Sequence, residues 1–183
     1  HHKLLSISGK LAPRIVFGCD NQISELHAFC MFEHFYQQGG RIFDTAYIYN
    51  DGLSDGYLGK WINERNLKDE IIILGKGVHT PHCEPKNIRP QLEESLDRMN
   101  LDRLDIYCLH RDNPEIPVEE FIEELNELKS SGLFTLFGAS NWTFERFRKA
   151  NEYANKNNKE GKTSWATHIG LTTPQYAVSA FLN

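Results

Sequence analysis

Short apolar runs alternate with amphipathic stretches five times along the chain, and this alternation limits the fold more than any other feature of its 183 residues. The runs cover 15–17, 41–43, 71–74, 104–109 and 134–139. Most are continuously apolar, the pattern of strands covered on both faces of a parallel sheet. Between them, Val118, Phe121, Ile122, Leu125 and Leu128 recur at helical spacing, and Ile88, Leu92, Leu96 and Met99 form a second stripe. Segments 24–38, 54–65 and 143–157 complete five helices. Gly39-Gly40 and Gly132 stop two of them, and Ser54 is expected to cap the helix it opens. Strand-helix alternation of this kind builds β-α-β units, which an open doubly wound sheet and a closed barrel both satisfy.

The strand ends separate these two architectures. Asp44, Lys76, His110 and Ser140-Asn141 each follow an apolar run, at successive spacings of 32, 34 and 30 residues. Polar groups delivered at a nearly constant period ring the mouth of a barrel, where function sits. An open sheet gathers its ligand groups at one switch point instead. The segment Phe17-Gly18-Cys19-Asp20 after the first run also lacks a G-x-G-x-x-G nucleotide loop. The strand ends therefore favour a barrel within the α/β class over a classical nucleotide-binding sheet.

Composition narrows the function classes. The net charge of -5 gives no basic footprint for nucleic acid. No apolar run approaches the ~20 residues that span a bilayer, so no membrane partner is expected. Four cysteines (Cys19, Cys30, Cys83, Cys108), widely spaced and without a C-x-x-C, suit free thiols in a reducing compartment, hence a cytoplasmic location. His1-His2 has the look of a tag remnant. The loop His79-x-x-His82-Cys83-Glu84 carries metal-ligand residue types, but its spacing matches no structural zinc pattern, so no metal is expected. Its position after the third strand makes His79 a candidate wall of a substrate pocket.

Phe43-Asp44-Thr45-Ala46, then Tyr49, Gly52-x-Ser54-Asp55 and Leu58-Gly59-x-Trp61, are followed by Lys76-Gly77, Leu109-His110-Arg111-Asp112 and Gly138-Ala139-Ser140-Asn141-Trp142. In this order the segments resemble the aldo-keto reductases over roughly residues 11–155. The resemblance implies an α/β fold, a (β/α)8 TIM barrel, that binds NADPH in extended form and reduces an aldehyde or ketone to an alcohol. It implies a catalytic tetrad of Asp44, Tyr49, Lys76 and His110, with Ser140 and Asn141 on the nicotinamide carboxamide and Asp44 also near the cofactor. Asp55 departs from the family's usual Glu.

The chemistry asks for these residue types. Hydride arriving at a carbonyl carbon builds negative charge on its oxygen, which needs a proton donor. A phenol has a pKa of about 10, and a nearby ammonium lowers it. Lys76 is expected to supply that ammonium, Asp44 to keep it charged, and His110 to orient the carbonyl. Two alternatives carry the same residues differently. One is a non-catalytic, cofactor-binding regulatory subunit of the same fold. The other is a metal-dependent barrel hydrolase using His79, His82, His110 and Asp112. A small-molecule carbonyl is the expected partner, and a monomer is favoured.

The chain is short for this fold. Eight such units need roughly 250 residues, and only five strands are evident. Residues 164–183 resemble the family's late helix rather than its sixth strand. The chain is therefore expected to be a single barrel domain, with segments missing near 161–164 and after 183. The Gln under the nicotinamide, the stacking aromatic and the clamp for the 2′-phosphate are not evident.

Overall fold

A computed structural model of the chain describes residues 5–157, 159 and 164–165. Two short strands, β1 (Leu5–Ile7) and β2 (Lys10–Ala12), form an antiparallel hairpin. Then come β3 (Val16–Gly18), α1 (Glu25–Gln37), β4 (Ile42–Asp44), α2 (Leu53–Arg65) and β5 (Ile72–Gly77). They are followed by α3 (Ile88–Met99), β6 (Leu104–Leu109), α4 (Val118–Ser130), β7 (Phe134–Ala139), α5 (Phe144–Lys156) and β8 (Ser164–Trp165). Strands β3 to β8 lie side by side in sequence order, every pair parallel. This is the order of consecutive barrel staves.

The five expected strands and the five helices that alternate with them are present, with β6 and β7 at their expected bounds. Four differences have physical causes. The hairpin at 5–12 was not foreseen; its tight turn is made by Ser8 and Gly9, both at positive φ, and Ser-Gly is its only sequence signal. Strand β5 runs on through Lys76 and Gly77, because its ladder to β6 continues past the apolar run. Ser54 does not cap α2: one 3-10 turn, Tyr49–Gly52, leads straight into the helix, and Gly52 occupies the cap at φ 88. Ser24 and Thr143 do cap their helices, each accepting a bond from the backbone N–H three residues on.

The fourth difference lies at the chain's far end. Ser164 and Trp165 pair in parallel with Gly138 and Ala139, so this segment begins as a sixth strand and not as a late helix. Backbone pairing with an open strand edge overrides the helical likeness there. The rest of the expected late helix, and the expected breaks near 161–164 and after 183, lie outside the described residues.

Two cores share the sheet. Ile42, Ile72, Leu74, Ile106 and Cys108 pack inside it with Ile7 and Ala12 from the hairpin. Phe43, Ile71, Ile73, Tyr107 and Phe137 pack outward against the helices. The hairpin is fastened by Lys10, which pairs with Asp105 at 3.0 Å and donates to the Ile71 carbonyl. Among the described residues, no helix is long and apolar enough to cross a membrane.

Helices α2 and α3 carry the scaffold for the loop after β4. Gly59 lets them meet closely, since a Cβ there would collide with the Met99 backbone. Asp55, fully buried, accepts from Thr45 Oγ1 at 2.6 Å and Ser95 Oγ at 2.8 Å. Arg98 stands 3.8 Å from the same carboxylate and donates to the Tyr47 carbonyl. Burial outweighs the hydroxyl donors and the guanidinium, and raises the Asp55 carboxyl to about 6.

Gly59→Ala is expected to destabilise the fold by about 1–3 kcal/mol, because backbone cannot yield as a side chain does; urea denaturation measures it. For Asp55 the folded pKa lies above the unfolded one, so its contribution is fully present below about 4 and lost as pH rises through about 6. Wild-type stability should therefore fall relative to Asp55→Asn across that window, by on the order of 2 kcal/mol. Denaturation midpoints of the two proteins that run parallel from pH 4 to 7 would contradict this linkage.

Candidate active site

Side chains alternate across a strand, so residues an even number apart share a face. Ile42 points inward and so does Asp44; Ile72 and Leu74 lead to Lys76; Ile106 and Cys108 lead to His110; Leu136 leads to Ser140. Backbone ladders carry this arrangement just past the strand ends: His110 N–H donates to the Gly77 carbonyl, and Ser140 N–H to the Leu109 carbonyl. Four polar groups thus arrive at one rim by continuing the parity of the apolar core.

Tyr49 arrives by another route. It opens the 3-10 turn after β4, and Asn50, Asp51 and Gly52 all adopt positive φ. Asn50 ties this turn to the Gln22 carbonyl, and Tyr47 N–H donates to the Lys76 carbonyl. The turn is thereby fastened to the loop after β3 and to β5.

The expected residues lie close together. Lys76, only 3% exposed, forms an ion pair with Asp44. Its ammonium lies 4.9 Å from the centre of the Tyr49 ring. The His110 ring meets Tyr49 edge to face at 5.7 Å and His79 in the same manner at 4.8 Å. Asn141, at φ 61, donates from Nδ2 to the His110 carbonyl and to Ser140 Oγ. The Tyr49 hydroxyl is buried and has no hydrogen-bond partner among the described residues.

Electrostatics correct one expectation. Burial, with Asp20 and Cys19 adding to it, pushes the Tyr49 phenol above its ordinary value, where an ammonium-lowered pKa was expected. Desolvation of the phenolate dominates, and the Lys76 charge is engaged by Asp44. Arg111 acts on Tyr49 in the lowering direction. Burial also pulls the Lys76 ammonium down to about 8, with Cys108, Cys19 and Asp20 acting in the raising direction. Tyr49 is thus protonated at neutral pH, and Lys76 titrates just above it.

Sequence reasoning missed several neighbours. Cys19 and Cys108 are buried around Lys76, and burial raises both thiols well above their usual range. Asp20 acts on Tyr49, Lys76 and Cys19. No local pattern marks these three, because only the sheet register brings them to the ammonium. His79, foreseen as a pocket wall, does sit beside His110. The ligands of the hydrolase alternative do not converge: Arg146 occupies both oxygens of Asp112 at 3.1 Å, and Arg111 donates to His79. Among the described residues, no group of three or more His, Cys, Asp or Glu is placed to hold a metal ion.

Comparison with known proteins identifies the family and the fold. The model of the "Aldo/keto reductase family" matches residues 15–175. Norsolorinic acid reductase B of Aspergillus parasiticus is 30% identical over 146 residues, which cover 73% of this chain and 38% of that protein. A solved aldo/keto reductase from Klebsiella pneumoniae, in complex with NADP and acetate, superposes with a TM-score of 0.68 at 24% identity, over 81% of this chain and 53% of its own. The thermostable aldo-keto reductase Tm1743 gives 0.77 at 23% identity, over 93% and 64%. The chain thus spans between about a third and two thirds of these relatives' lengths, and its six parallel strands are part of their TIM barrel. Its register, its rim residues and the family match lead to one conclusion: the chain belongs to the aldo/keto reductase family.

Proposed function

We propose that the protein reduces an aldehyde or ketone to an alcohol with NADPH, and that Tyr49 is the proton donor. The observation that carries this reading is the Tyr49 hydroxyl, buried without a hydrogen-bond partner among the described residues, beside an ion-paired lysine and an imidazole. An unpaired buried hydroxyl costs about 1–3 kcal/mol, and a carbonyl oxygen bound there relieves it. The raised phenol suits the role, because the group stays protonated until negative charge develops on its acceptor.

The rim also suits a carboxamide. Asn141 spends its amide protons on His110 and Ser140, which leaves its exposed Oδ1 to accept; the Ser140 hydroxyl, which accepts from Asn141, keeps its own proton to donate. One acceptor beside one donor complements the amide of nicotinamide, and Asp44 lies at the same rim. When bound, NADPH supplies the hydride. His110 orients the carbonyl oxygen, Tyr49 donates to it, and the Lys76–Asp44 pair stabilises the phenolate left behind and returns its proton. A relative solved with NADP supports the cofactor choice. Four unbridged thiols, three of them buried, suit a reducing cytoplasm, and we propose a monomer acting on a small carbonyl compound.

Tyr49→Phe should lower turnover of a reactive aldehyde by about two to four orders of magnitude, while NADPH fluorescence titration gives a nearly unchanged Kd. Turnover close to wild type in that variant would remove Tyr49 from the chemistry. The Lys76 cation is present below about 8 and lost above it. The kcat for reduction should therefore decline as pH rises through about 8, and Lys76→Met should erase that limb along with most of the activity. A wild-type profile flat to pH 10 would contradict the role of the charge.

A further inference from the structure

A guanidinium stands at the rim without a carboxylate. Arg111 directly follows His110, its side chain is exposed, and it makes no ion pair among the described residues. The nearest acid in sequence, Asp112, is paired with Arg146, whose Nε lies 3.1 Å from both its oxygens. Arg146 is itself held by the carbonyls of Asn113 and Ile116 and faces the Trp142 ring. Asp112 thus has its ion pair with Arg146 rather than with Arg111.

Arg111 is nevertheless aimed. Its Nε donates to His79 Nε2 at 3.2 Å. An arginine N–H can only donate, so His79 Nε2 is the accepting, unprotonated nitrogen. The ring proton is then on Nδ1, which stands 3.1 Å from the Thr80 carbonyl. A neutral histidine anchored on backbone thus orients the arginine from the neighbouring crossover. The same His79 ring packs edge-on against His110, which packs against Tyr49. Arg111 is close enough to act on Tyr49 electrostatically.

We propose that Arg111, oriented by His79, selects carbonyl substrates that also carry a carboxylate. The inference rests on the reductase reading for its carbonyl, but not for its anion. With Nε committed to His79, the two terminal nitrogens remain, and they match the two oxygens of a carboxylate in a bidentate pair. His79 cannot take that part, because its accepting nitrogen is occupied and its proton faces Thr80. Among the described residues Asp20, like Cys19, acts on Tyr49 in the sense opposite to Arg111; its charge disfavours an anion at the phenol itself and so separates the two ends of the substrate. The carbonyl lies at Tyr49 and His110, and the carboxylate lies outward at Arg111.

The test compares 4-carboxybenzaldehyde with benzaldehyde in the full chain, as wild type, Arg111→Gln and Arg111→Lys. Wild type should favour the carboxylate by about tenfold or more in kcat/KM, a charge-assisted bidentate bond being the source. Arg111→Gln should bring that ratio close to one through KM, and Arg111→Lys should keep part of it. A wild-type ratio near one, or a preference that survives Arg111→Gln, overturns the proposal. Binding of both compounds is also measured by calorimetry, independently of turnover. Should neither aldehyde be consumed, the reductase reading fails alone. Tighter binding of the carboxylate that Arg111→Gln abolishes then still supports the anion site, and equal binding of the two compounds overturns it.

Discussion

Strand parity governs this molecule. The side chains that fill the sheet interior, Ile42, Leu74, Cys108 and Leu136, belong to the same alternating series as Asp44, Lys76, His110 and Ser140. A slip of one residue in any ladder would send the apolar member to the wrong face and the polar member into the helical layer. Hydrophobic burial thus enforces the register, and the register delivers the chemistry. No separate device is needed to place four functional groups on one rim.

The rim balances burial against charge. Lys76 is almost completely enclosed, and its ammonium is ion-paired with Asp44 at the same site. The Tyr49 phenol has no such companion, and burial holds its proton on. Two titrating groups in adjacent positions are therefore displaced in opposite directions, the lysine toward losing its proton and the tyrosine toward keeping one. That opposition is the basis for proposing Tyr49 as the donor. Asp55 shows the same competition one layer away, where hydroxyl bonds and a guanidinium fail to offset its burial.

Much of this was legible in the residues themselves. Continuous apolar runs and amphipathic stripes signalled the parallel sheet, and polar residues at a steady period signalled the rim. What stayed hidden depends on long-range register or on backbone geometry. Cys19 and Asp20 carry no local signal, since they come near Lys76 only through the pairing of β3 with β4. Ser54 looked like a cap because serine before an apolar stripe often is one, but the turn at 49–52 had already begun the helix. Ser164 and Trp165 looked helical in their neighbourhood, and the β7 edge drew them into the sheet. The direction of the Tyr49 shift escaped for a related reason: sequence shows which charges are near but not how little water is.

The hairpin at the start of the chain divides the labour of the strands. Ile7 and Ala12 fill the interior at the end away from the rim, and Lys10 anchors them to Asp105 and to the Ile71 carbonyl. Cohesion is thus concentrated where the strands begin and polar chemistry where they finish, so each end of a stave can vary in sequence without disturbing the other.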